Sequence, residues 1–89
     1  MNKKIIVVSA VWCPSCLILK KHLKKLKEEY KIDIETLDYD LDEDRVNELN
    51  VKDILPVIIV KNNDTEISRL IGEKTYDEII DFLSEASVI

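Results

Sequence analysis

The 89-residue chain holds two cysteines, Cys13 and Cys16, with Pro14 and Ser15 between them. That spacing serves three chemistries: half of a metal site, a structural disulfide, or a dithiol that cycles between reduced and oxidised states. Zinc takes about four ligands. The one further soft donor, His22, lies nine residues beyond Cys13, which on a helix is the far side and about 13 Å along the axis. A metal site within one chain is disfavoured, while a cluster bridging two chains through Cys13 stays open.

Pro14 orients the pair. Proline suits the first helical position, where its missing N–H is not needed and its φ is already helical. Cys13 then falls at the N-cap, its sulfur where a capping oxygen usually sits, near the amides of Ser15 and Cys16 and the positive end of the helix dipole. Those surroundings favour thiolate over thiol. Cys13 is expected to be exposed and nucleophilic, with Cys16 one turn on and facing inward. Dithiol exchange needs that asymmetry: the first thiolate attacks a disulfide, and a shielded thiol then attacks the first sulfur and frees the reduced substrate.

The elements that must hold the pair are legible around it. Lys4 to Val11 is β-branched and apolar without alternation, as in a strand covered on both faces. From Pro14 to Tyr30 the apolar positions Cys16, Leu19, Leu23, Leu26 and Tyr30 recur at helical spacing. Ile32 to Leu37 alternates as a strand, and Asp40 or Asp42 can cap a short helix carrying Val46 and Leu49. Pro56 to Lys61 and Thr65 to Ile71 flank Asn62-Asn63-Asp64 as a hairpin, ended by Gly72. Thr75-Tyr76-Asp77-Glu78 is a capping box opening a last helix with Tyr76, Ile79, Ile80, Leu83 and Ala86 inward. The order β-α-β-α-β-β-α predicts an α/β fold. Its first two strands are parallel through a right-handed crossover, and its four-stranded mixed sheet has helices on both faces.

Length and composition fit one domain spanning residues 1–89 with a single modest core. Apolar residues are 46% of the chain and charged residues 35%, with one glycine and two prolines, a composition of compact globular chains. The longest apolar runs, Ile5–Val8 and Pro56–Val60, fall far short of the roughly 18 residues that cross a membrane, and no secretory leader opens the chain. A cytoplasmic location is therefore expected, where thiols are kept reduced and a permanent bridge is disfavoured. The net charge of −5 is segregated, lysines crowding the stretch up to Lys31 and acids the stretch from Asp33 to Glu48. An acidic chain with few aromatics argues against nucleic-acid binding.

With these residues in view, the chain from Lys3 to about Ala86 resembles the thioredoxin and glutaredoxin superfamily in compact form. Trp12-Cys13-Pro14-Ser15-Cys16 after the first strand and Ile54-Leu55-Pro56 opening the third carry the resemblance. It implies a thiol–disulfide oxidoreductase in which Pro56 is cis and lies against the sulfur of Cys13, while Leu55 pairs its backbone with the bound substrate. Ala10-Val11-Trp12-Cys13 is thioredoxin-like, and the Cys-Pro-x-Cys order glutaredoxin-like. Val7 stands where thioredoxins carry a buried acid. The lysine, tyrosine and Gly-Gly-acid features of glutathione-using relatives are replaced by Ser9 to Trp12, Ser15 and Gly72-Glu73-Lys74, leaving Gly72 as the one small-thiol contact that the resemblance offers.

The function expected is thus reduction of protein or mixed disulfides by a monomer without cofactor or metal. Electrons would come from a thioredoxin reductase-type flavoenzyme or a low-molecular-weight thiol. An iron–sulfur or metal carrier using Cys13, and a non-catalytic binding module, are the alternatives. Leu17 and Ile18, with Trp12 and Leu55, are candidates for an apolar ring that docks protein partners.

Overall fold

The structure, a computed structural model, describes residues 3–89. Seven elements follow in the order β1 (Lys3–Ser9), α1 (Pro14–Tyr30), β2 (Ile34–Asp38), α2 (Glu43–Glu48), β3 (Val57–Asn62), β4 (Thr65–Ile71) and α3 (Tyr76–Glu85). The sheet order is β2-β1-β3-β4. β1 runs parallel to β2 and antiparallel to β3, and β3 and β4 form the hairpin.

The two central strands lack alternation because both of their faces are covered. Ile6, Val8, Val57 and Ile59 pack with Val46 of α2 and with Leu37, Leu49, Val51 and Leu55. Ile5, Val7, Ile58 and Val60 pack against Leu19, Leu23 and Leu26 of α1 and Ile79 and Leu83 of α3. Each such side chain contributes roughly 1.5–3 kcal/mol by leaving water. The sheet therefore fixes the point where β1 gives way to α1, and Cys13 and Cys16 join the α2-side cluster there.

Local chemistry sets the ends. α1 closes on Lys31 in the left-handed region at φ 55°, with its N–H bonded to the Lys27 carbonyl at 3.0 Å. At α3 both halves of the Thr75–Glu78 capping box form, at 3.0 and 3.1 Å. Several expectations move. β1 ends at Ser9 rather than Val11, because Ala10 begins the turn into α1 and its carbonyl accepts from Cys13 N–H at 3.2 Å. β2 starts at Ile34, and the hairpin turn is the pair Asn63-Asp64, with Asn63 at φ 59°. Tyr30, the last residue of the stripe, is exposed. Asp42 occupies the N-cap of α2 without capping it, since its Oδ2 accepts instead from the Asp38 amide at 2.8 Å.

Candidate functional site

Cys13 is the N-cap of α1, extended at φ −98° and ψ 110°, and Pro14 follows in the first turn. The Cys16 amide donates to Cys13 Sγ at 3.3 Å and also to the Cys13 carbonyl at 3.2 Å. The sulfur thus takes the place of a capping oxygen and receives an oriented N–H at the positive end of the helix dipole. Of the two amides expected to reach it, only that of Cys16 bonds. Exposure does not separate the two thiols as expected: each is 6% exposed. Cys13 is drawn in because the Ala10–Cys13 turn folds it onto the cluster that holds Leu55 and Val57. The asymmetry lies in bonding. Cys16 is pushed up to about 11, first by burial, then by its hydrogen bond with Cys13 and by the charge of Cys13, against a lowering by the Ala10 backbone.

Two hydrogen bonds tie the motif to distant loops. Trp12 Nε1 donates to Asp40 Oδ2 at 2.8 Å, and its ring meets Tyr39 edge-on, with centroids 5.9 Å apart. Asp40 is set by a local turn, in which Asp38 Oδ1 accepts from the Asp40 and Leu41 amides at 2.9 Å. On the other flank, Ser15 Oγ donates to Glu73 Oε1 at 2.7 Å. Sequence reasoning placed Asp40 only as a cap candidate for α2 and Glu73 only in the Gly72-Glu73-Lys74 stretch at the small-thiol contact, and it missed both as partners of the motif. They lie 28 and 58 residues from their partners, and no local pattern announces such pairs.

The third wall is the entry to β3. The Leu55-Pro56 bond is cis, and Pro56 is buried. Its carbonyl accepts from the Gly72 amide at 2.8 Å, so that N–H is already used within the chain. Gly72 sits at φ 92°, and an added Cβ would stand 3.9 Å from Ile54; conformation rather than space calls for glycine there. The expected apolar ring changes membership. Leu55 is buried and drops out, because it packs into the α2-side cluster, while its neighbour Ile54 is exposed. Val11 at 85% exposure, Trp12 at 55%, Ile54 at 59%, Leu17, Ile18 and Ile71 form the exposed apolar surface at this end.

Arg69 of β4, also missed, braces that wall. Its guanidinium donates to the Leu49 and Asn50 carbonyls at 2.5 and 3.3 Å and is held by Glu66, so the end of α2 and the loop leading to Pro56 are tied to the sheet. Alongside α1, a groove of about 890 Å³ runs over β1 and β2. Val7, Ala10 and Cys16 line it, with Lys20, Lys24 and Lys27 along α1 and Asp38 opposite. Among the described residues, no three or more His, Cys, Asp and Glu side chains gather to hold a metal ion.

A mixed four-stranded sheet in this order, with a Cys-x-x-Cys turn opening α1 and a cis-proline opening β3, is a thioredoxin fold. The family pattern described as Thioredoxin matches residues 1–85, and the chain belongs to the thioredoxin family. No curated protein matches it. Among solved structures, it is similar to mitochondrial thioredoxin 3 from Saccharomyces cerevisiae, with 24% identity, TM-score 0.83, and coverage of 94% of this chain and 78% of that one. It is similar also to a malaria-parasite thioredoxin-2, described as a component of protein secretion machinery. There the identity is 27%, the TM-score 0.76, and the coverage 96% and 85%. A third is thioredoxin f2 of Chlamydomonas reinhardtii, with 19% identity, TM-score 0.84, and coverage of 94% and 78%. The chain therefore has a thioredoxin-family oxidoreductase fold with its two cysteines together at the helix start.

Proposed function

We propose that this protein is a cytoplasmic thiol–disulfide oxidoreductase that reduces protein or mixed disulfides, with Cys13 attacking and Cys16 resolving. The observation that carries the reading is the sulfur of Cys13 at the N-cap of α1, accepting the Cys16 amide at 3.3 Å. In the first step, Cys13 thiolate forms a bond to one substrate sulfur and expels the other as thiolate. In the second, Cys16, having lost its proton to solvent, attacks Cys13 Sγ, closes the Cys13–Cys16 disulfide and releases the remaining thiol. Two electrons leave the dithiol and reduce one disulfide.

Once Cys13 is in a mixed disulfide, its charge is spent. Two of the influences that hold the proton on Cys16 then weaken, leaving burial as the main one. The test is trapping. Cys13→Ser abolishes reduction of a protein disulfide such as that of insulin, and Cys16→Ser accumulates covalent adducts visible on non-reducing gels. Adducts formed by Cys13→Ser instead would reverse the roles.

For the electron donor, we favour a flavin reductase of the thioredoxin type, or a low-molecular-weight thiol other than glutathione. Of the amides beside the last helix that could greet glutathione's carboxylates, three are already used, Gly72 N–H by Pro56 and those of Thr75 and Glu78 by the capping box. Glu73 adds a like charge there. Steady-state reduction of the oxidised protein by each donor at matched potential decides, and faster turnover with glutathione would overturn the assignment.

A further inference from the structure

We propose that Glu73, held by Ser15, is a specificity-determining residue that with Asp40 selects disulfides flanked by cationic side chains on an apolar segment. The proposal rests on the dithiol reading given above. Ser15 lies between the two cysteines, so a carboxylate accepting its hydroxyl at 2.7 Å is anchored within about a helical turn of the reacting sulfurs. Asp40 is anchored on the other side, by the indole of the residue preceding Cys13. The two charges bracket the dithiol, while Val11, Trp12, Ile54 and Ile71 supply exposed apolar area between and around them.

Among the described residues, Glu73 takes part in no ion pair within 4 Å. Lys74, next in the chain, forms no salt bridge among the described residues. Lys20 and Lys21 begin the basic stretch of α1 a turn beyond Cys16, and line the groove over β1 and β2. A substrate entering over the cysteines therefore meets two fixed negative charges and an apolar rim. Lysine or arginine flanking its disulfide is attracted, and aspartate or glutamate repelled. A unit charge about 6 Å from a substrate charge changes association in water by about threefold, or about tenfold between a cation and an anion in the same place.

The experiment uses the reduced protein and three disulfides of similar size: cystamine with two ammonium groups, 2-hydroxyethyl disulfide without charge, and dithiodiglycolate with two carboxylates. Each reaction oxidises the dithiol once and yields two small thiols, so no further reductant is required. Second-order rates are measured by stopped flow at low ionic strength, and the cystamine-to-dithiodiglycolate ratio is compared between proteins, which cancels the intrinsic reactivity of the probes. Glu73→Gln lowers that ratio by about threefold to tenfold, and Ser15→Ala, which frees the carboxylate without removing it, lowers it less. At 0.5 M salt the difference between proteins collapses. A ratio unchanged in Glu73→Gln, with the neutral probe still reacting, overturns this proposal and leaves the dithiol reading standing. Failure of all three probes to oxidise the unaltered protein overturns the dithiol reading and this proposal with it.

Discussion

Replacing Cys13 by alanine isolates the forces acting on Cys16. Burial, the Cys13 hydrogen bond and the Cys13 charge together raise Cys16 from 9.0 to about 11. Near neutral pH the thiol of Cys16 therefore keeps its proton. Cys13→Ala deletes both sulfur contributions but leaves the burial, which is the largest. The titration midpoint should therefore fall below 11 while staying above 9. Iodoacetamide labelling in short pulses across pH 7–12, with thiolate absorbance near 240 nm as a second readout, locates that midpoint. A midpoint still near 11 would mean that burial alone holds the proton and that spending the Cys13 charge does nothing to free it. A midpoint at or below 9 would refute the burial argument itself.

The same shift has a stability consequence. Because the folded value of Cys16 is raised, the unfolded chain ionises first, and stability present below pH 9 is lost as the pH rises toward 11; a Cys16→Ala variant should show a shallower loss in urea melts over that range. Glu35 is the opposite case. Its carboxyl is held down to about 2 by hydrogen bonds first from Arg45 and then from Lys4, so its stabilisation is present above pH 4.5 and fades as the pH falls toward 2. With the ion pairs partly in solvent, Glu35→Gln should cost only about 0.5–1 kcal/mol at pH 7 and nothing near pH 2, by urea midpoints. Arg69→Ala should cost about 1.5–3 kcal/mol by removing charged donors from the Leu49 and Asn50 carbonyls, with Arg69→Lys restoring part of it in the same melts.

The parts of the fold legible in the sequence were those written in local periodicity. The α1 stripe, the capping box at Thr75 and the unalternated runs of β1 and β3 each carry their meaning within a few residues, and the element order followed from them. Pro14 fixed the N-cap in the same local way. What stayed hidden was set by contacts across the chain. Whether Cys13 is covered depends on how the turn at Ala10 lies against Leu55 and Val57, and which of Ile54 and Leu55 faces water depends on the turn into Pro56. Asp40 read locally as a cap candidate, Glu73 as part of the stretch at the small-thiol contact, and Arg69 as a strand residue. Only the closed fold gives them Ser15, Trp12 and the end of α2 as partners.

The strand order leaves β2 at the margin of the sheet, and among the described residues β1 alone pairs with it. A free strand margin invites a second molecule to add itself there, and chains commonly deter this with charge. Here Asp33, Glu35 and Asp38 mark the strand and its approach, so two copies meeting margin to margin set acid against acid. Most proteins become association-prone near the pH at which net charge vanishes, which for this chain is about 4.8. Glu35 keeps its charge well below that point because Arg45 and Lys4 hold its carboxyl down. Light scattering on concentrated samples, each protein held at the pH of its own zero net charge, should therefore find the Glu35→Gln protein clustering under conditions where the parent stays dispersed.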